Sequence, residues 1–210
     1  IDDGFSIEKD KLLIHISDVY GFLVENNLLE KIVNISSIYL SNNVVKHALD
    51  TILSSNYCSL IKGQKRYMIT LEIDLNTLEY NFYPSYGIIS ANYSYDNYPK
   101  ELDSKFSLIS ALYKEYIGKN KNVSDSHEFI EALMIIYNNL FIRNLKKDKS
   151  KQPIFRVQDT SSIPYTKPKN DLEKLINKIN SRTARYSLKD DGHFMLNTSN
   201  YSHTTSPIRR

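Results

Sequence analysis

Between Arg66 and Tyr86 apolar and polar side chains alternate, and the alternation resumes after a turn. Ile69, Leu71 and Ile73 alternate with Thr70 and Glu72, Asp74-Leu-Asn-Thr77 supplies the turn, and LEYNFYPSY returns. A period of two places every second side chain on one face of a strand, so this stretch predicts a half-buried β-hairpin whose apolar face must be covered. The opening IDDGFSIEKDKLLIHISDV carries the same signal. Phe5 and Ile7 alternate, a polar EKDK turn follows, and then Leu12, Ile14 and Ile16 alternate. Helical spacing enters with Leu102, Phe106, Ile109 and Tyr113 in the stretch 98–116, and again over 126–146. There Asp125 and Glu128 form an Asp-x-x-Glu start, and Phe129, Leu133, Ile136 and Leu140 trace one stripe. GFLVENNLLEKIVNISS predicts helix or irregular chain, QPIFRVQD a short strand, DTSSIPYTKPK a loop, LEKLINKI a short helix, and the tail from Tyr186 turns. The mix is α+β rather than a βαβ series, and 210 residues suit one domain.

Composition excludes several classes. A single cysteine, Cys58, rules out an internal disulfide framework, and five scattered histidines show no metal-binding spacing. That cysteine usage predicts a reducing, cytoplasmic compartment. The apolar runs KLLIHI and FIEALMIIYNNLFI are too short or too interrupted to cross a bilayer, so no membrane partner is expected. A net charge of +3 marks no bulk nucleic-acid binder. The basic run from Arg143 to Lys151 reads as the solvated C-terminal end of a helix before it reads as a phosphate-contacting patch.

Three groups of residues have chemistry to offer. Asp2 and Asp3 are paired carboxylates beside an apolar strand, a costly arrangement unless they are solvated, hydrogen-bonded or metal-bound. Neighbouring strand residues face opposite ways, so both line one pocket only if the backbone bends, which Gly4 would permit. By themselves the two aspartates read as a solvated strand start before they read as part of a magnesium site. Tyr39 and Tyr95 could stack on bases, although with 16 tyrosines in the chain any one of them is more often a core or surface aromatic. Ser206-Pro-Ile-Arg209-Arg210 carries guanidinium groups that fork onto phosphate oxygens, or simply stay solvated.

Taken in order, the segments resemble the RNB catalytic domain of the RNase II/RNase R family. IDDGFSIE is similar to the end of its aspartate motif D-x5-D-x-D-D, and LLIHISDV to the strand that follows. SSIYLSNNVV, NYCSLIKGQKRYMITLEID and FYPSYGIISANYSYD are similar to its next loop and strands. EFIEALMIIYNNLF, PIFRVQD and GHFMLNTSNYSHTTSPIRR match its helix, strand and closing segment. The resemblance spans the chain, and the closing segment is its most specific part. It implies a mixed or antiparallel sheet flanked by helices around an RNA channel. The implied activity is 3′→5′ hydrolysis of single-stranded RNA to nucleoside 5′-monophosphates by two magnesium ions.

By the same resemblance Asp2 and Asp3 are the last two motif aspartates and hold metal, and Arg209 grips the scissile phosphate. Tyr39 and Tyr95 pack on terminal bases, Glu131 lies beside the terminal nucleotide, and Ser206, Thr205 and Arg210 orient backbone or phosphate. The chain also departs from the family. Residues 1–210 are expected to be a partial RNB domain lacking the two earlier aspartates, the cold-shock-type domains and the S1 domain, and therefore inactive or nearly so alone. Glu131 is followed by Ala132 where the family has two adjacent acids, Thr204 replaces an aromatic, and the stretch 159–185 is short. The competing expectation is a catalytically dead RNB fold that binds RNA or acts as a scaffold.

Overall fold

The computed structural model describes residues 1–34, 36–39, 45–159, 170–173, 176 and 183–209, with the side chains of Tyr39 and Val45 outside the description. Contacts divide the chain into two compact units, one of residues 1–102 with 204–210 and one of residues 103–203.

The first unit is built on the two hairpins read from the alternation. Strands β1 (Asp3–Glu8), β2 (Lys11–Ser17), β5 (Lys65–Asp74) and β6 (Tyr80–Ile88) form an antiparallel sheet in the order β1-β2-β5-β6. The register sets Leu12 against Ile73 and Ile14 against Leu71, and all four side chains are completely buried. On the opposite face a polar row crosses the sheet. Ser6 Oγ meets His15 Nε2 at 3.2 Å, His15 Nδ1 meets Thr70 Oγ1 at 2.9 Å, and Thr70 meets Ser85 Oγ at 2.6 Å. Burial holds the His15 imidazole below its ordinary pKa. The β5–β6 turn closes because Asp74 Oδ1 accepts from the backbone N–H groups of Asn76 and Thr77, each at 2.9 Å.

Helix α1 (Val19–Glu25) follows β2 and is capped by Asp18, whose Oδ1 accepts from Gly21 N–H at 2.8 Å. Any side chain at position 21 would collide with that carboxylate. A 3-10 turn at Leu29–Lys31 and a π-helical turn at Leu53–Tyr57 come next, with the short strands β3 (Ile38–Tyr39) and β4 (Val45–Lys46) paired between them. Val19, Leu23, Leu49, Leu53, Cys58 and Ile208 form a buried cluster, against which Phe22 and Leu28 pack.

The second unit is a helix hairpin with a small two-stranded sheet. The 98–116 stretch is helical only in part. Lys100–Lys105 is a 3-10 helix, and the α-helix α2 spans Phe106–Ile117. Leu102 N–H bonds to Pro99 O, three residues back. Leu102 is also the single apolar residue in that turn and is not fully buried, so packing gives little reason to extend the α-helix. Gly118, left-handed at φ 76°, ends α2. Helix α3 (Ser126–Lys147) starts as expected, with Asp125 Oδ1 accepting from Glu128 N–H at 2.8 Å. The Glu128 carboxylate reaches back to Ser124 N–H and Oγ rather than to the cap residue. Phe129, Leu133, Ile136 and Leu140 are all completely buried. Strand β7 (Phe155–Val157), expected from QPIFRVQD, pairs with β8 (Arg185–Ser187), which runs into the tail read as turn-rich. The cross-strand pair Arg156–Tyr186 accounts for this, since the guanidinium lies 4.7 Å from the ring centroid. The expected loop 159–169 and the helix at LEKLINKI fall largely outside the described residues.

Candidate active site

The two ends of the sequence meet in the first unit. Ser17 N–H bonds to Asp2 O at 2.8 Å, extending the β1–β2 ladder one step beyond Asp3. The Asp2 side chain leaves the ladder differently: its Oδ1 accepts from the Ile208 backbone N–H at 2.8 Å, across 206 residues of sequence. Ile208 is held from its other side by the Val19–Leu23–Leu53 cluster. Arg209, next along, passes its carbonyl to Ser37 N–H at 2.8 Å, and Ser37 Oγ accepts from Ala48 N–H at 3.0 Å. The paired aspartates, the Pro207–Arg209 turn and the start of β3 therefore form one hydrogen-bonded junction. It holds the Asp2 carboxylate and the backbone of Arg209, an exposed residue.

Burial, and then the charge of Asp2, raise the Asp3 carboxyl above its ordinary pKa. The bend that Gly4 would permit does not occur: Gly4 sits in the ladder opposite His15 and has no left-handed backbone. Continuous pairing of β1 with β2 keeps Asp2 and Asp3 on extended backbone, where neighbouring side chains leave on opposite faces. Asp2 bears on Asp3 because it lies just outside the strand, where its side chain turns toward Ile208.

Arg66, which no motif singles out, anchors this junction. Arg66 is only 7% exposed, and its guanidinium donates to Ser59 O at 2.7 Å and Asn56 O at 3.1 Å, with further bonds to Lys65 O and the Asn56 side chain. These bonds fix the chain just before Leu60, whose N–H donates to Ile1 O at 2.9 Å. Arg66 thereby braces the strand that starts the aspartate pair. Its charge does not set it apart in the sequence, since Lys65, Glu72 and Asp74 are charged in the same strand. Cys58, in the same segment, is an inert thiol. Burial pushes it up to about 11, with Arg66 pulling down and Asp2 pushing up.

The remaining expected residues fall into distinct places. Tyr95 is half exposed on a loop fastened by Asn92, whose Nδ2 donates to Leu60 O at 2.9 Å and whose Oδ1 accepts from Lys62 N–H at 2.8 Å. The loop is thus tied to the residue that meets Ile1. Tyr39 pairs with Val45 through the backbone, and its side chain lies outside the described residues. Thr205 is buried and Ser206 half-buried in the same terminal segment, while Arg210 lies outside the described residues. Glu131 belongs to the second unit. It sits on α3 with its carboxylate 2.7 Å from Lys121 Nζ.

Among the described residues no group of three or more His, Cys, Asp or Glu could hold a metal ion. Asp2 and Asp3 do offer hard oxygen donors where the Asp3 carboxyl is unfavourably charged, which suits part of a divalent-cation site but not a complete one.

Comparison with known proteins agrees with the topology. The RNB domain pattern matches residues 1–122 and 105–210, together the whole chain. Ribonuclease R of Mycoplasmopsis pulmonis (strain UAB CTIP) is 28% identical over 293 residues, covering 100% of this chain and 40% of the relative. Ribonuclease R of Helicobacter pylori (strain ATCC 700392 / 26695) is 24% identical over 286 residues, covering 100% of this chain and 44% of the relative. Both alignments run longer than 210 residues, so these relatives carry internal residues that this chain lacks.

Among solved structures, Mycoplasma genitalium RNase R in complex with ribose-methylated single-stranded RNA superposes with a TM-score of 0.71 at 23% identity, covering 100% of this chain and 46% of that one. Yeast Ssd1, a pseudonuclease, superposes with the same TM-score, 0.71, at 16% identity, covering 100% of this chain and 36% of that one. The chain spans less than half the length of each of these proteins. With the pattern matched from end to end and the fold shared, the chain belongs to the RNB domain family.

Proposed function

We propose that these residues are part of the catalytic domain of a 3′→5′ hydrolytic exoribonuclease that degrades single-stranded RNA to nucleoside 5′-monophosphates in the cytoplasm. The observation that carries this reading is the bond from Ile208 N–H to Asp2 Oδ1, which ties the residue before Arg209 to the first of the paired carboxylates. The relatives' name, Ribonuclease R, gives it direction. Asp2 and Asp3 would hold a divalent metal, magnesium by the hardness of their oxygens, which when bound supplies charge neutralisation and an activated water.

The chain's own residues do the rest. Asp2 fixes the Pro207–Arg209 turn through the Ile208 N–H. Arg209 forks onto the phosphate, where fixed positive charge lowers the barrier as negative charge builds up. Tyr39 and Tyr95 stack on bases in an RNA channel. Base stacking is tolerant of sequence, which suits an enzyme that removes every nucleotide in turn. Ser206 and Arg210 orient the backbone, and Glu131 meets the terminal nucleotide. On this reading the 210 residues alone bind RNA weakly and are inactive or nearly so.

The test uses uniformly labelled single-stranded RNA and the longest polypeptide encoded by the reading frame containing these residues. Products that co-migrate with nucleoside 5′-monophosphates, formed with magnesium and absent with a chelator, are the expected result. Short oligonucleotide products, or a 3′-phosphate at the cut, would overturn the reading. The likeness to Ssd1 favours a second reading, an RNB fold that binds RNA without cutting it. RNA bound tightly yet left intact would select that one.

A further inference from the structure

Helix α1, the 3-10 turn and the π-helical turn enclose an open pocket of about 590 Å³, within the size range of small-ligand sites. Its wall is apolar and aromatic, formed by Phe22, Ile52, Leu53 and Tyr57. Phe22 and Tyr57 lie nearly parallel, with centroids 6.0 Å apart and planes inclined by 16°. Tyr57 is 50% exposed, which leaves ring surface open to a further aromatic group. The π-helical geometry builds this wall. Cys58 N–H bonds five residues back to Leu53 O at 2.9 Å, and such turns recur at functional sites.

The rim is polar, with Asn26, Lys31 and Asp50. Asn26 Nδ2 donates to Phe22 O at 2.8 Å, and Asp50 Oδ1 accepts from Ile52 N–H at 2.9 Å. Both side chains are thereby oriented, and each keeps an oxygen that can accept. The aromatic surface also continues beyond the pocket. Phe22 meets Tyr67 at 5.9 Å, and Tyr67 meets the exposed Tyr86 at 4.7 Å. Lys65 Nζ lies 5.8 Å from the Tyr86 ring. The row therefore has a lysine at each end.

We infer that this pocket receives a base of single-stranded RNA, apart from the carboxylate junction, with the row to Tyr86 taking its neighbour. The inference rests on the reading that this chain handles RNA. A base would lie on Tyr57, and its exocyclic amine and ring N–H would donate to Asp50 and Asn26. Lys31 and Lys65 would meet phosphates on either side. Guanine, with two adjacent donors on its pairing edge, fits a carboxylate better than uracil, with one. A free mononucleotide shares this chemistry but could engage only one end of the row, whereas a strand carries one phosphate for each base and matches both.

The experiment measures anisotropy of a fluorescent single-stranded RNA of about a dozen nucleotides on the full chain, in chelator so that nothing is cut. Tyr57→Leu, which keeps apolar bulk at a half-exposed position, should weaken binding about 5- to 100-fold, the loss of one base stack. Lys31→Glu should weaken it several-fold and reduce its salt dependence. Circular dichroism confirms that both variants are folded. RNA bound equally well by wild type and both variants would overturn this inference while leaving the functional reading intact. No RNA bound by the wild type would remove both. Guanosine 5′-monophosphate that needs Tyr57 to bind, when RNA does not, would make this a mononucleotide site and overturn the assignment to RNA.

Discussion

Replacing Asp2 by alanine leaves the Ile208 N–H in a partly buried position with its acceptor gone. A hydrogen bond to a charged acceptor contributes about 1.5–3 kcal/mol, and a stranded donor loses that amount without compensation. One opposing effect comes from Asp3, whose carboxyl is pushed up in part by Asp2, so removing Asp2 relieves some repulsion. Asparagine separates the two contributions, because it retains Oδ1 and drops the charge. Asp2→Ala should therefore lose about 1–3 kcal/mol of stability at neutral pH, and Asp2→Asn less than about 1 kcal/mol. Urea unfolding gives both values from the shift in midpoint at constant slope. Amide exchange localises the effect: Ile208 should lose protection in the alanine variant and keep it in the asparagine variant. Equal stabilities for the two variants, or Ile208 exchange unchanged by alanine, would refute the tie between the chain's two ends.

Asp3→Asn tests the neighbouring carboxylate. Its folded pKa lies above the ordinary value of 3.8, so its contribution to stability is complete below that value and is lost as pH rises through the folded pKa. The asparagine variant should melt higher than wild type at neutral pH, and its advantage should vanish below about pH 3.8 in a series of thermal melts. Asp125→Ala removes the α3 cap and should cost about 0.5–2 kcal/mol in the same urea assay. Cys58, 2% exposed with its thiol pushed up to about 11, should resist iodoacetamide in the native protein and react promptly once unfolded, as mass spectrometry will show.

The hairpins and α3 were legible because their signals are local. Leu12, Ile14, Leu71 and Ile73 show their shared face by alternation alone, and Asp125 announces the helix start three residues before Glu128. The 3-10 turn before α2 shows where that reasoning stops. Helical spacing includes Leu102 and Phe106, but nothing in spacing reports whether packing will extend the helix that far. Strand β8 was missed for a related reason: three residues carry no period, and pairing with β7 decides their conformation.

In the candidate site, Asp2, Asp3 and Arg209 were legible as residue types, and the family resemblance supplied their order. The resemblance also put them at one site, but the bond from Ile208 to Asp2 was not legible, because a side chain bonded to a backbone N–H 206 positions away leaves no trace in composition or spacing. Arg66 is the sharper case. Its guanidinium donates to the backbone carbonyls of Ser59, Lys65 and Asn56 and to the Asn56 amide, so no acidic partner in the sequence pointed to its role.

The most direct test of the account is the cleavage pattern of single-stranded RNA labelled at its 5′ end. It uses the longest polypeptide containing this chain, as wild type, Asp3→Asn and Arg209→Ala, each checked for folding. The account predicts a ladder shortening from the 3′ end with magnesium for the wild type, and none or almost none for either variant. An unchanged ladder from the folded variants would contradict the claim that this junction is where RNA is cut.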